Sequence, residues 1–254
     1  MNAIKAEWVK LSTTKSLWLT SGLILLFAVF IGWLSGQSYG QANPELGFDL
    51  GPLRPGVVVE SLRQMVIIVV IIQAAMLFTT ENRYGLQRTT YLGTPNRWQV
   101  ALAKVVLYSV ITAVLSFLAW IIAAVLANAL AAEGRGFELG SADSVRAMWA
   151  FPLAMVLVVV FSQSIAMLLR HTAGAVTLIL GWAIALENVV SFLPGIGPKV
   201  VDWMPFKRLT YFVTESQPLF SSSTWEVWPS LAYFTAWAVG LFAVGAFVTM
   251  KRDA

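Results

Sequence analysis

The sequence predicts an all-α polytopic membrane protein with six transmembrane helices, and three observations carry that prediction. Hydrophobic residues make up 58% of the 254 positions and charged residues 12%, with a mean hydropathy of +0.74, too apolar for an ordinary soluble domain. The apolar residues arrive in runs near or above the roughly 18 that cross a hydrocarbon core, not scattered as a soluble core requires. The charges concentrate in the stretches between those runs. There is no cysteine, so disulfides and thiolate metal sites are excluded, and the single histidine, His171, cannot assemble a histidine metal site. A pI near 9.5 would suggest nucleic acid as partner of a soluble protein. In a membrane protein basic residues first report orientation, and no long basic run or RNA-binding motif argues for nucleic acid.

Residues 1–16 place Ile4, Trp8 and Leu11 on one helical face and Lys5, Glu7 and Lys10 away from it, the pattern of a helix lying in the membrane interface. A solvated basic leader is the plainer alternative. The first span, 17–35, carries Trp18 and Trp33 near its ends as an aromatic belt would, and no A-x-A site follows that would mark it as a cleaved signal. Gly32 and Gly36 make a GxxxG pattern, common by chance, that permits close helix approach. The following stretch, 36–56, is rich in Gly, Pro and Gln and reads as an aqueous loop. The second span, 57–79, has Glu60 and Arg63 in its first two turns, three residues apart and able to pair. Near a membrane end such a pair is structural; deeper, it would face protein or a wet cavity. Gln73 reads as an interhelical hydrogen bond.

Between the second and third spans, residues 79–104 form a polar island. Arg83, Arg88, Arg97 and Lys104 stand there against one carboxylate, Glu81. Gly85 and Gly93 bracket a segment long enough for two helical turns. Thr94 and Pro95 then read as an N-cap and a first helical position, where the missing N–H of proline costs nothing. The third span is 100–130. Spans four and five, 147–169 and 172–193, form a tight hairpin about Arg170 and His171. Glu187 and Asn188 lie within the fifth span, and an ionisable residue there is a functional-site hypothesis by default. The competing reading puts Glu187 high enough to reach headgroups. Residues 194–227 are too charged to span, yet Val200, Val201, Trp203, Met204, Pro205 and Phe206 keep them near the surface, as short interfacial or re-entrant helices. The sixth span is 228–250.

Alternate sides of the six spans differ in charge. The side holding both termini and the island has ten basic residues against three acids, the other seven against ten, so the balances are +7 and −3 within the net +4. The positive-inside rule then places both termini and the island in the cytoplasm. No phosphate-binding G-x-x-x-x-G-K-[ST] is present. The fragment LSGQ at 34–37 lacks the second glycine of the nucleotide-sandwiching signature and sits at the far end of a span. No His with carboxylate partners, no G-x-S-x-G and no paired acids on a cytoplasmic helix occur, so no catalytic residues are assigned.

A protruding helix without chemistry of its own suits docking. The order of Glu81, Gly85, Arg88 with Thr89, Thr94 with Pro95 and Arg97, and Lys104 resembles the first cytoplasmic loop of permease subunits in the type-2 family of ATP-binding-cassette (ABC) exporters. Glu7, Lys10, Leu11 and Thr13 resemble that family's amphipathic elbow helix, and 194–227 falls where members carry extracellular re-entrant helices. The Leu86–Gln87 pair and Asn96 depart mildly from the pattern. The resemblance covers nearly the whole chain and implies one transmembrane permease domain, 1–254, in a bacterial-type plasma membrane.

Further implications follow from the resemblance. The 80–98 loop would carry a coupling helix seated on a separate ATPase subunit, present in two copies, which binds ATP and Mg; no cofactor is expected in this chain. Glu81, Arg83, Arg88 and Arg97 would set the electrostatic fit, Leu86, Tyr91 and Leu92 would supply apolar contact, and Gly85 would end the helix. A second permease protomer, identical or not, would complete the path, with spans two and five lining it and Gln73, Glu187 and Asn188 near substrate. If the arginines only enforced topology they would bind anionic headgroups instead. Two rival classes remain: a self-sufficient channel or secondary transporter using Glu60 and Glu187, and a non-transporting membrane subunit of an ABC complex.

Overall fold

The computed structural model of the chain describes residues 2–39, 51–83, 97–217 and 225–252. A short helix, α1 (Asn2–Thr13), leads into α2 (Lys15–Tyr39), followed by α3 (Pro55–Arg83), α4 (Arg97–Leu130) and α5 (Ala142–Leu169). The fifth membrane helix is compound: α6 (Thr172–Leu180), a π-helical turn (Gly181–Leu186) and α7 (Glu187–Ser191). Then come α8 (Gly197–Val200), a 3₁₀ turn (Val201–Trp203), α9 (Pro205–Thr214) and α10 (Val227–Arg252). Six of these helices are long and apolar enough to cross a membrane: Lys15–Ser38, Pro55–Glu81, Trp98–Leu130, Ala142–Leu169, Thr172–Ser191 and Val227–Thr249. No strand occurs among the described residues, and the protein is an all-α polytopic membrane protein.

The bundle is built around the second and fourth spans. In each, 67% of the most apolar window is buried, against 17% for the fifth and sixth, so α3 and α5 form the centre and the last two spans face outward. The turn between spans four and five is closed by local chemistry. Arg170 adopts the left-handed conformation (φ 55°) and donates its N–H to the Ala166 carbonyl; His171 Nδ1 then accepts the N–H of Gly174 to start α6.

Within hydrocarbon, helices gain nothing from hiding apolar surface and associate through close packing instead. The tightest seam joins α2 to α4. A Cβ on Gly32 would come within 2.8 Å of the Ala123 carbonyl oxygen, and one on Gly36 within 2.8 Å of that of Ala127. The GxxxG of α2 therefore meets an alanine row one helical turn apart on α4. At the opposite end of α2 and α4 from this seam, α1 turns Glu7 and Leu11 inward and leaves Ile4 and Trp8 nearly half exposed. Its buried face is thus offset from the Ile4, Trp8, Leu11 stripe that the sequence suggests, because a carboxylate has been drawn into the protein.

Gly36→Val is expected to destabilise the purified protein by about 1–3 kcal/mol, the usual cost of overpacking a tight contact. Gly22→Ala, at a position with no atom within 4 Å of the added carbon, should leave the unfolding temperature in detergent unchanged. Equal behaviour of the two variants would remove the seam from the account.

Candidate functional site

At the end of the bundle that carries α1, four charged side chains form one network. Lys104, near the start of α4, donates to Glu7 Oε2 of α1 at 2.7 Å and to Glu81 Oε1, in the last turn of α3, at 2.6 Å. Lys10 donates to Glu7 Oε1 at 2.9 Å and to Glu81 Oε1 at 3.1 Å. Glu7 and Lys104 are 3% and 5% exposed, so each needs the other. Burial acts against the Lys10 charge, yet the bond to Glu7 and the charges of Glu81 and Glu7 outweigh it and hold the ammonium above its ordinary value of 10.5. A lysine whose folded value is raised contributes fully below the unfolded value. The contribution fades only in strong alkali, as pH rises past the folded one.

The network lies at the two roots of the island. Arg83 closes α3 and Arg97 opens α4, while Gly85, Leu86, Arg88, Tyr91 and Leu92, with the Thr94–Pro95 restart, lie outside the described residues. Of the residues assigned to coupling, Glu81 has a described side chain, and it points into the network. Nothing in the sequence pairs Glu7 with Lys104, 97 residues away; the signal it carries is that Lys104 is a lone charge at the head of an apolar run and Glu7 the one acid among the lysines of α1.

The residues assigned to the substrate path separate. Gln73 is buried in α3, and its Oε1 accepts the Ser16 hydroxyl at 2.8 Å, tying α3 to α2. Glu187 and Asn188 lie at the opposite end of the bundle, lining a cleft of about 820 Å³ between the first half of α3, the fifth span and α9. Glu60 and Arg63 line it too. The Arg63 guanidinium holds both oxygens of Glu60, at 2.8 and 2.7 Å, and Gln64 adds a bond of 3.0 Å.

Glu187 is fully buried, and its carboxylate accepts the backbone N–H groups of Phe206 at 3.0 Å and Lys207 at 2.8 Å. These are among the orphan donors at the start of α9. Met204, at the N-cap of α9, has no side-chain oxygen, and Pro205 follows it, so the cap comes from another helix. The other end of α9 is treated in kind. Arg146, near the start of α5, donates to the Phe212 carbonyl at 2.6 Å and pairs with Glu215 at 3.0 Å. A carboxylate at the N-terminus and a guanidinium at the C-terminus both oppose the helix dipole. Arg146 also stacks over Trp149 and Phe212, which with Trp228 seat α9 between α5 and α10. The missing side-chain cap at Met204 was the sequence signal that could have revealed this arrangement.

The π turn positions Glu187. Its N–H donates to the Trp182 carbonyl, five residues back, and the Asn188 amide donates to the Ile184 carbonyl at 2.6 Å. Asn188 Oδ1 accepts from Lys207 Nζ at 2.6 Å. Burial, opposed by Glu187, holds the Lys207 ammonium below its ordinary value. Among the described residues no cluster of three or more acidic or histidine side chains could hold a metal ion.

The helix order and the two polar ends define a polytopic helical membrane protein whose charged groups are gathered at its ends. A family model described as an ABC-2 family transporter protein matches residues 3–187, and the chain belongs to that family. It is thus a permease-type membrane transport component, of the kind that works with an ATPase subunit. The match ends at Glu187, so Asn188 and α9 lie beyond it. A search of curated proteins finds no match.

Lys104→Met is expected to cost about 3–5 kcal/mol by leaving two carboxylates short of a counter-charge. Adding Glu7→Gln and Glu81→Gln should recover most of that loss. If the triple variant unfolded at the same denaturant concentration as Lys104→Met alone, the network would not be what holds this end together.

Proposed function

We propose that the chain is the permease subunit of an ABC exporter for an amphipathic or hydrophobic substrate, working by ATP-driven alternating access. A second permease protomer completes the pathway, and two copies of a separate ATPase subunit bind ATP with Mg, so the permease itself is not catalytic. Family membership supports the transport component. The observation that carries the coupling mechanism is the mount: α1, the last turn of α3 and the start of α4 share one ion network, at the two roots of 84–96. Movement of a docked helix reaches the bundle only through joints that do not slip, and a buried, multiply bonded lysine is such a joint.

On this reading Glu81 acts from within the network. Arg83, Arg88 and Arg97 supply the charge of the docking surface, Leu86, Tyr91 and Leu92 its apolar contact, and Gly85 its helix end. Glu187 and Asn188 shape the cleft between spans two and five, through which substrate passes. Gln73 holds α2 against α3 and acts at a distance from the cleft. The positive-inside distribution supports a plasma membrane orientation with both termini cytoplasmic. The engaged state of Glu60 and Glu187 weighs against a self-sufficient channel built on them.

Replacing Arg88 and Arg97 together with glutamate should reduce co-purification with the ATPase subunit at least tenfold, a loss on the order of 1.4 kcal/mol, while membrane insertion stays normal. Unchanged ATPase binding would reduce the island to a topology signal. Because the chain has no cysteine, single replacements report orientation directly. Lys5→Cys should react with an impermeant maleimide only in opened cells and Gln217→Cys in intact ones; the reverse pattern would overturn the orientation.

A further inference from the structure

We propose that the cleft binds the anionic headgroup of an amphiphile through the Lys207 ammonium, with the tail lying along the apolar floor beside the π turn. The charges that line the cleft differ in how far they are already answered. Glu60 is saturated by Arg63 and Gln64, and Glu187 by two backbone N–H groups. Arg54 and Asp143 stand on the lining with opposite signs. Lys207 is the exception. Its ammonium donates to the neutral Asn188 oxygen, and although the Glu187 and Glu60 carboxylates act on it from a distance, none among the described residues lies within ion-pair reach. An ammonium has three donors, so two remain for a ligand, and the Asn188 bond keeps the group in place.

The cleft also has a direction. Glu60, Arg63 and Lys207 belong to its mouth at the α9 end, whereas Met65 and Ile68 follow Glu60 by about one and two turns along α3 toward the middle of the span. On the fifth span Ala183 and Ile184, inside the π turn, lie one turn deeper than Glu187. Polar groups above and aliphatic groups below match a molecule with a charged head and a hydrocarbon tail. A volume near 820 Å³ suits a headgroup with several methylenes rather than a bare ion. Leu186 and Val189, at least half exposed next to this wall, leave the apolar side open for a tail to enter laterally. π turns recur at functional sites, and here the turn supplies both the floor and the placement of Glu187.

The proposal deepens the reading of Glu187 and Asn188 as substrate-path residues and rests on that reading for the ligand being cargo. Binding itself requires no ATPase, which keeps the two testable apart. The probe is radiolabelled dodecyl phosphate, titrated against the purified full chain in phosphatidylcholine nanodiscs, with empty discs subtracted. Lys207→Gln should weaken binding about tenfold, Lys207→Arg should hold it within about twofold, and dodecyltrimethylammonium binding should not depend on position 207. Inorganic phosphate should displace the probe only at concentrations at least about 100-fold higher, since it lacks the tail. Displacement by phosphatidylglycerol added to the discs would assign the site to a bilayer lipid, and its absence to a solute amphiphile; both support an anionic headgroup. Wild-type affinity in Lys207→Gln, equal loss in Lys207→Arg, or equal competition by inorganic phosphate would overturn the proposal. Lys207-dependent binding without any ATPase association would overturn the transporter reading and leave the site standing.

Discussion

Lys104 carries a full charge at the edge of an apolar bundle, and the arrangement of that end follows from the need to answer it. Two carboxylates from different helices converge on one ammonium, and Lys10 answers the remaining charge. The requirement fixes where α1 lies and which way it faces, since Glu7 must reach inward even though Ile4 and Trp8 are then left outward. It also fixes α3 relative to α4. The same layer is extended by neutral pairs on α3: Gln73 with Ser16 of α2, and Thr79 with Thr172 of α6 at 2.6 Å. α3 is therefore the hub through which four other helices are registered at this end.

The opposite end is organised by backbone rather than side-chain charge. The orphan groups at the two ends of α9 are met by Glu187 from the fifth span and Arg146 from the fourth, so a ten-residue helix is bonded at both termini to helices it does not follow directly in the chain. Buried Arg208, bonded to Asp202 and stacked on Trp225, anchors the segment a second time. Between these polar layers the contacts are mainly apolar, with buried hydroxyls such as Thr112 and Ser116 among them, and they are close, as the glycines of α2 against the alanines of α4 illustrate. Specific polar bonds at the ends and sliding surfaces between them suit a bundle whose helices shift as rigid rods.

The spans were legible because hydrocarbon imposes length and composition with little tolerance. The Glu60–Arg63 pair and the Gly32–Gly36 seam were legible for the same kind of reason, since both depend on helical spacing alone. The hairpin at Arg170 and His171 was marked by two polar residues between apolar runs. The Lys104 network was not legible, because its partners are separated by 97 and 23 residues and periodicity carries no information over such distances. Glu187 stands out as an ionisable group inside a span, but its partners are main-chain donors, which have no signature in the sequence. The island is legible only through the order of its residues, which resembles that of ABC-2 permeases, and the family so indicated is the one to which the chain belongs.

A π turn holds one residue more than an α-helix following the same path. In the fifth span this surplus changes phase: everything after Leu186 is turned by about 100° relative to an uninterrupted helix, the angle of one residue step. Glu187 meets α9 on that shifted phase. The position of a whole helix on the far side of the protein is thus tied to the count of residues between Gly181 and Leu186, and not to any one side chain among them. A single deletion there, leaving every contact residue intact, would point the carboxylate away from the helix it caps.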